Sequence, residues 1–333
     1  MPRRITIYDV ASQAGVSIST VSLALNTPAR VSERTRQRVL KAADALGYTP
    51  KTEAVAKARK GVGRIGVLAP YTSYPSVARR LSGVLKAVGD GPLEVVVFDH
   101  ASAAHSASPL LETLPLTGRL DGLIVMSLPL EDHAARRLTD SRLPAVLVDA
   151  RRDGFDSVHT DDADGGRLVA EHLLERGYHS FGFLGEEQMS QAYQSPGQRR
   201  LAGFRTALAS AGHRLEAERV RHTPHGLEQA TKAAKELLAS PDRPRALFAA
   251  DDTLAAGALR AAGSLGLAVP GDLALAGFDD SELARALELT TVRQPLEESG
   301  HTAADLLIQR ITHGPTATRE TTLKLELLPR HST

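Results

Sequence analysis

Beyond residue 64 the chain alternates short apolar runs with segments whose apolar residues recur at helical spacing. The runs have the length and the Val, Ile and Leu content of buried strands. One series of strands is predicted at residues 65–69, 93–98, 122–126 and 145–149, and a second at 180–184, 219–221, 246–250 and 273–278. Helices are predicted between or after them, at residues 77–88, 131–138, 165–176, 198–211, 227–239 and 253–265. This alternation predicts an α/β body of two doubly wound parallel-sheet lobes, with a cleft between the carboxyl ends of their strands.

The first fifty residues have a different pattern, because apolar residues recur every three to four positions in three short segments. The segments predict helices at residues 7–14, 18–25 and 33–46. Each is preceded by a hydroxyl residue suited to cap a helix, namely Thr6, Ser17 and Ser32. The first two helices are joined by a short turn that contains Gly15, which is the helix-turn-helix pattern. The sequence therefore predicts an all-α helix-turn-helix head.

The second helix of this head is unusually polar and small on one face. Ile18, Ser19, Ser22 and Leu23 occupy the positions from which a recognition helix meets base edges in the major groove. Hydroxyl and amide side chains suited to phosphate contacts lie on and around the helix: Thr20, Asn26, Ser32 and Thr35. The alternative is a plain three-helix bundle that binds nothing.

Charge is distributed unevenly, although the net charge of the whole chain is only +1. Residues 1–64 contain twelve Lys and Arg against four acids, a net charge of +8, so the remaining residues carry −7. A small basic head on a larger acidic body favours a polyanion as the partner of the head, whereas a solvated basic face is the alternative.

The motifs of the head resemble those of the lactose-repressor (LacI/GalR) family. They are ITIYDVASQAGVSISTVSLALN at residues 5–26, VSERTR at 31–36 and LGYTP at 46–50. The resemblance spans nearly the whole chain. It implies a dimeric transcriptional regulator, a repressor, that binds a palindromic DNA operator and is controlled by a small molecule, here a sugar, in the interlobe cleft. It also implies a head at residues 1–50, a hinge at 51–63 and a periplasmic-binding-protein-like body at 64–333. Lobe 1 would comprise about 64–160 and 291–317, and lobe 2 about 161–290 and 320–330.

The residues expected to contact DNA are Thr6, Tyr8, Ser17, Ile18, Ser19, Thr20, Ser22, Leu23, Asn26, Ser32, Thr35 and Lys57. Two of them depart from the family's pattern. Leu23 stands where many members have an arginine, and leucine makes only apolar contacts, for example with a thymine methyl group. Lys57 stands where many members wedge a leucine into the minor groove, so a central kink in the operator is in doubt.

Three predicted strands of the body end in acids, at Asp149, Asp251 and Asp279, whose carboxylates would face the cleft and accept hydrogen bonds from hydroxyls. Capping of the following helices is the alternative, above all for Asp252 and Asp280. The resemblance implies these effector-binding residues: Asp149, Arg200, Asp251, Asp279 and Gln294. Asp251 replaces an asparagine common in the family, which favours a ligand rich in donors, such as a sugar, over an anion. Tyr71 and Tyr74 follow the first strand, where they either stack on a sugar ring or pack in the lobe surface.

Other motifs give no further site. The sequence G-x-G-x-x-G at residues 61–66 precedes a strand, which is the wrong context for a dinucleotide site, and is interpreted as the exit of the hinge. The histidines at 222 and 225 are interpreted as surface-loop residues. The chain has no cysteine, no metal-binding or nucleophile-elbow motif and no run as long as a membrane span. We therefore expect a cytoplasmic protein that is not an enzyme and needs no cofactor. Weaker alternatives are a purine-responsive regulator, a sugar-binding protein and a two-lobed enzyme.

Overall fold

A computed structural model describes residues 5–48, 63–70, 74–100, 109–188 and 194–333 of the chain. Lys57, Tyr71 and all of the predicted hinge except Gly63 lie outside these residues. Within the described ranges, no helix is both long enough and apolar enough to cross a membrane.

The head consists of three helices, as the sequence predicts: α1 (Ile7–Ala14), α2 (Ile18–Asn26) and α3 (Glu33–Leu46). Gly15 and Gly47 end α1 and α3 in the left-handed conformation, with φ of 61° and 62°, which glycine adopts without steric cost. The helices enclose a small apolar core, and a 3₁₀ turn at Pro28–Arg30 connects α2 to α3.

The first lobe is built on a six-stranded sheet in which every strand pair is parallel. Its strands follow the spatial order β11-β5-β4-β3-β1-β2. They are β1 (Gly63–Pro70), β2 (Leu93–His100), β3 (Gly122–Met126), β4 (Ala145–Val148), β5 (Asp156–Thr160) and β11 (Glu320–Leu323). Its helices are α4 (Pro75–Val88), α5 (Pro109–Thr113), α6 (Asp132–Asp140) and α12 (Leu296–His313), with a 3₁₀ turn at Leu114–Leu116. Apolar clusters cover this sheet.

The second lobe repeats this design, with the strand order β12-β10-β9-β8-β6-β7. Its strands are β6 (Phe181–Glu186), β7 (Val220–Thr223), β8 (Ala246–Ala249), β9 (Ala274–Asp279), β10 (Thr290–Arg293) and β12 (Glu326–Leu328). Its helices are α7 (Asp162–Glu175), α8 (Pro196–Ser210), α9 (Leu227–Leu238), α10 (Asp252–Ser264) and α11 (Glu282–Ala286). Only β12 runs antiparallel to its neighbour among the pairs of the described chain. The predicted fold class, a helical head on two parallel-sheet lobes, is confirmed.

Two strands, β10 and β11, correct the predicted lobe boundaries. Residues from 291 onward were expected in lobe 1, but β10 (Thr290–Arg293) pairs with β9 and β12 of lobe 2. β10 ends at Arg293, two residues before Pro295, which has no N–H to continue a ladder. Residues 320–323 were expected in lobe 2, but β11 extends the sheet of lobe 1 beside β5. Four-residue strands of polar and apolar residues do not indicate which sheet they will join, because the partner strand decides it.

Candidate functional site

The second helix of the head presents an exposed surface. Ser17 caps it by accepting a hydrogen bond from the Thr20 N–H at 3.1 Å. Ile18 and Leu23 are 42% and 39% exposed, an unusual state for large apolar side chains. Because they extend beyond the core of the head, they are available to a partner, and the adjacent Ser19 is also exposed.

Several hydroxyls predicted to contact phosphates are also engaged within the head. Thr6 donates both its N–H and its hydroxyl to the Asp9 carboxylate, at 2.8 and 2.7 Å. Ser32 caps α3 by accepting from the Thr35 N–H. Asn26 donates to the Ser22 carbonyl at 2.8 Å. A capping hydroxyl that accepts, such as that of Ser32, can still donate to a phosphate. The Thr6 hydroxyl already donates its proton to Asp9, and the Asn26 amide is used in part.

The interlobe cleft brings together six of the seven predicted effector residues. The two lobes both contribute, and the six residues line one cavity of about 110 Å³: Tyr74, Asp149, Arg200, Asp251, Asp279 and Gln294. The three acids and Gln294 follow or end strands, whereas Tyr74 precedes α4 and Arg200 lies on α8. Asp149 and Asp279 have positive φ, 58° and 112°, a strained backbone that holds their carboxylates towards the cavity. The seventh residue, Tyr71, lies outside the described residues.

Asp149 is held by an arginine that the sequence analysis missed. Arg80, on α4, forms a buried ion pair with Asp149 at 2.8 Å, and Ser127 donates to the same carboxylate at 2.8 Å. Arg80 is only 4% exposed. The sequence does contain a signal for the burial of Arg80. It falls three residues after Val77 and four before Val84, on the apolar face of the helix.

Arg200 is held on the opposite side of the cleft by several contacts, which include an ion pair with Asp279 at 4.0 Å. Its guanidinium donates to Asp162 at 2.9 Å and to the Ala250 carbonyl at 2.7 Å, and it lies 3.7 Å above the ring of Phe278. Among the described residues, none accepts a hydrogen bond from its Nη2 atom. Arg200 therefore presents a rigidly held donor to the cavity.

Asp279 is linked to the first lobe through Gln294. The Gln294 amide donates to Asp279 at 2.5 Å and accepts from Thr160, at the end of β5, at 3.2 Å. Burial raises the pKa of Asp279 to about 6, although the Arg200 charge opposes the shift. Around pH 6 this carboxyl therefore changes between its neutral and its charged form.

Helix capping at the cleft differs from the expectation. Asp251, not Asp252, caps α10 by accepting from the Leu254 N–H at 2.8 Å. Asp252 instead accepts from the Ser281 N–H and from the Thr291 hydroxyl, each at 2.7 Å. Burial, with the charge of Asp279, raises the pKa of Asp252 to about 7.

The residue that caps α11 also differs from the expectation. Ser281, not Asp280, caps α11 by accepting from the Ala284 N–H. Asp280 is fully buried and paired with arginines, namely Arg285, Arg293 and Arg330. Despite the opposing effect of burial, these hydrogen bonds lower the pKa of Asp280 to about 2.

His225, interpreted from the sequence as a loop residue, lies in the cleft. Its Nε2 is 2.9 Å from Asp251 Oδ2, and its ring centroid is 4.1 Å from that of Tyr74. Tyr74 belongs to lobe 1, and its hydroxyl donates to Glu186 of lobe 2 at 3.0 Å. His225 does lie in the loop between β7 and α9, but it faces the cleft and not the outer surface, which neighbours along the sequence could not indicate. His222 is exposed, as expected, but lies on β7.

A helix-turn-helix head joined to two lobes with a polar cleft defines a ligand-binding DNA-recognition protein. Two sequence profiles match: that of the bacterial regulatory proteins of the lacI family at residues 6–51, and that of the periplasmic binding protein-like domain at residues 170–333. The HTH-type transcriptional regulator DegA of Bacillus subtilis is 31% identical over 340 residues, which cover 98% of each chain. The transcriptional repressor PurR of Erwinia tasmaniensis is 32% identical over 97% of this chain and 94% of its own.

The chain belongs to the LacI family of DNA-binding transcriptional regulators. Two similar solved structures agree with this assignment. The complex of the transcriptional regulator CelR with cellobiose has a TM-score of 0.71 and 28% identity, covering 99% of this chain and 100% of its own. The lac repressor dimer bound to operator and to the anti-inducer ONPF has a TM-score of 0.69 and 26% identity, covering 99% of each chain.

Proposed function

We propose that the protein is a cytoplasmic homodimeric repressor whose head binds an operator and whose cleft binds a sugar that changes operator affinity. The observation that carries the proposal is that one chain combines an exposed recognition helix with a cleft lined by converging acids and arginines. A ligand that binds better to one lobe arrangement shifts the chain towards it, and the hinge at 51–63 would transmit that shift to the head.

For the head, we propose that Ile18, Ser19, Ser22 and Leu23 contact base edges and that the remaining predicted residues position the head on phosphates. The exposure of Ile18 and Leu23 supports this assignment. Leu23 would select a base that offers an apolar surface, such as the thymine methyl group. Lys57 is proposed as a phosphate contact of the hinge.

A second copy of the chain is needed to bind two half-sites related by two-fold symmetry. The lac repressor, to which the chain is similar, binds its operator as a dimer. Exposed leucines of the second lobe support a dimer through that lobe, since α9 and α11 both pack on α10 and Leu227, Leu283 and Leu287 are 37–40% exposed. A second copy would cover this apolar surface.

The proposal of a sugar effector is supported by the hydrogen-bonding side chains of the cleft and by the similar CelR structure, which contains cellobiose. PurR relatives favour a nucleobase as the second candidate. Asp251 and Asp252 are held by hydrogen bonds within the protein, which argues against their acting as catalytic acids or bases.

A thermal-shift screen of the full chain against sugars, sugar acids, sugar phosphates and nucleobases tests the effector. A ligand at about one hundred times its Kd stabilises the folded state by roughly 2.7 kcal/mol, which raises Tm visibly. A sugar hit that also changes operator affinity supports the proposal. A nucleobase hit would contradict the sugar and favour the second candidate.

A further inference from the structure

Both carboxylate oxygens of Asp251 have partners within the protein. One accepts from the Leu254 N–H at 2.8 Å, and the other lies 2.9 Å from His225 Nε2. Each oxygen keeps a second lone pair for a ligand, but these contacts also give Asp251 a role within the protein. The ring of His225, which this carboxylate holds, lines the cavity.

The surroundings of His225 favour its charged form. Besides Asp251, the acids that act on it are Glu186, at the end of β6, and Asp279, at the end of β9. The ring of Tyr74, from lobe 1, covers it at 4.1 Å between centroids. Although burial favours the neutral ring, the hydrogen bond and charge of Asp251, with Glu186 and Asp279, raise the pKa of His225.

Two donor atoms on side chains that line the cavity have no acceptor among the described residues. Among the described residues, none hydrogen-bonds to Nδ1 of His225 or to Nη2 of Arg200, and both side chains line the cavity. Among the acids of the cavity, Asp149 already accepts from Arg80 and Ser127, and Asp279 accepts from Gln294. The two donor atoms on His225 and Arg200 suit an anionic group of a ligand.

We propose that Asp251 is a positioning residue that holds His225 as a charged donor, and that His225 and Arg200 bind an anionic group of the effector. The inference rests on the proposed sugar effector and narrows it to a sugar derivative that carries a carboxylate or a phosphate. It reverses the expectation from the sequence, in which Asp251 itself disfavoured an anion.

The first test needs no ligand. The imidazole of His225 is titrated by NMR in the full-length protein, with His225→Gln to assign the signal. We expect a midpoint above the usual value of about 6.5. The substitution Asp251→Asn should lower the midpoint, because asparagine can still cap α10 but has no charge. Asp161→Asn is the matched control, since Asp161 caps α7 without a histidine partner among the described residues.

A midpoint at or below the usual value in the unmodified protein would overturn the role of Asp251. So would a midpoint that Asp251→Asn leaves unchanged. Neither outcome depends on the identity of the effector, so the His225–Asp251 pair is judged separately from the proposed function.

The second test compares matched ligands by calorimetry: glucose, glucuronate and glucose 6-phosphate, with the galactose and galacturonate pair. The charged member of a pair should bind more tightly than its neutral parent. A histidine with a raised pKa contributes below that pKa and loses its contribution as the pH rises through it. We therefore expect the preference for the charged member to fall as the pH is raised from 6 through the midpoint that the NMR titration gives for His225.

Asp279, with a pKa of about 6, also changes its charge near the lower end of this pH range. The contribution of His225 is therefore taken as the part of the pH effect that Asp251→Asn removes. The carboxylate and phosphate ligands distinguish the two kinds of anion. Equal binding of neutral and charged members, or a preference for anions that Asp251→Asn leaves intact, would overturn the inference. Binding of none of them would contradict both the sugar effector and its anionic group, whereas the NMR titration would still stand on its own.

Discussion

At the scale of single residues, buried charged side chains in the cleft lie beside a partner of opposite charge. Arg80 and Asp149 lie 69 positions apart in the sequence and are 4% and 8% exposed. An ion pair buried in this way stabilises little by itself, but removal of one partner leaves an uncompensated charge in a poorly solvated site.

We expect Arg80→Met to destabilise the chain by about 3–5 kcal/mol, because Asp149 then loses its buried partner. The double substitution Arg80→Met with Asp149→Asn should recover most of this loss, since no charge is left unpaired. Urea unfolding of the single and double variants measures both free energies. Equal stability of the original chain and the Arg80→Met variant would contradict the pairing.

The positions of the cleft acids could be predicted from the sequence, but their partners could not. Asp149, Asp251 and Asp279 follow apolar runs, and the carboxyl ends of parallel strands face the cleft. Their partners Arg80 and His225 come from other segments of the same lobe, and only the packing within each lobe brings them close. For the same reason the sequence could not indicate that Asp251 has partners within the protein.

At the scale of elements, glycines set how closely the helices beside the cleft approach each other. A Cβ built at Gly166 of α7 would lie 2.0 Å from the Arg200 carbonyl oxygen on α8. A Cβ at Gly300 of α12 would lie 1.9 Å from the Arg80 carbonyl oxygen on α4. Both cleft arginines therefore lie on helices whose close contact depends on a glycine.

Substitution of Gly166 by alanine should destabilise the chain by about 1–3 kcal/mol, because the methyl group forces α7 and α8 apart. Gly263→Ala is the matched control, since Gly263 also lies in a helix but has open space at the Cβ position. The control should be neutral or stabilising by up to about 1 kcal/mol through helix propensity. Urea unfolding measures both, and equal effects would argue against the close contact.

Most helices and strands could be predicted because their apolar residues have clear periods. β5, residues 156–160, was missed, since the sequence DSVHT has only one apolar residue although the whole strand is buried. Long-range polar contacts compensate for this burial: Arg310 donates to Asp156, and His159 lies 3.0 Å from the Thr322 hydroxyl. Hydrophobic patterning cannot reveal a strand that is stabilised in this way.

At the scale of the whole molecule, the head packs directly on lobe 1. Arg137 on α6 donates two hydrogen bonds to Asp44 on α3, at 3.0 and 2.8 Å. Leu116 of the body is 5% exposed and belongs to the apolar core of the head. Ile18 and Leu23 on α2 remain exposed in this arrangement, so the packed head is still able to face DNA.

Reversal of either charge, by Asp44→Arg or Arg137→Asp, should destabilise the contact through repulsion, and the combined reversal should restore it. We expect a coupling of about 0.5–1 kcal/mol, because Asp44 is half exposed and solvent weakens the pair. Thermal and urea unfolding of the four proteins give the double-mutant cycle. Strictly additive effects would indicate that head and body do not interact through these residues.

The most direct test of the central claim, sequence-specific binding of DNA by this head, is selection of random DNA duplexes by the full-length protein. Sequencing of the bound fraction should yield an inverted repeat, since a dimer presents two equivalent recognition helices. The variant that combines Ile18→Ala with Ser19→Ala should yield no enriched motif and keep its thermal stability, because both side chains are exposed. Failure of the unmodified protein to enrich any motif, or the same motif from the variant, would contradict the account.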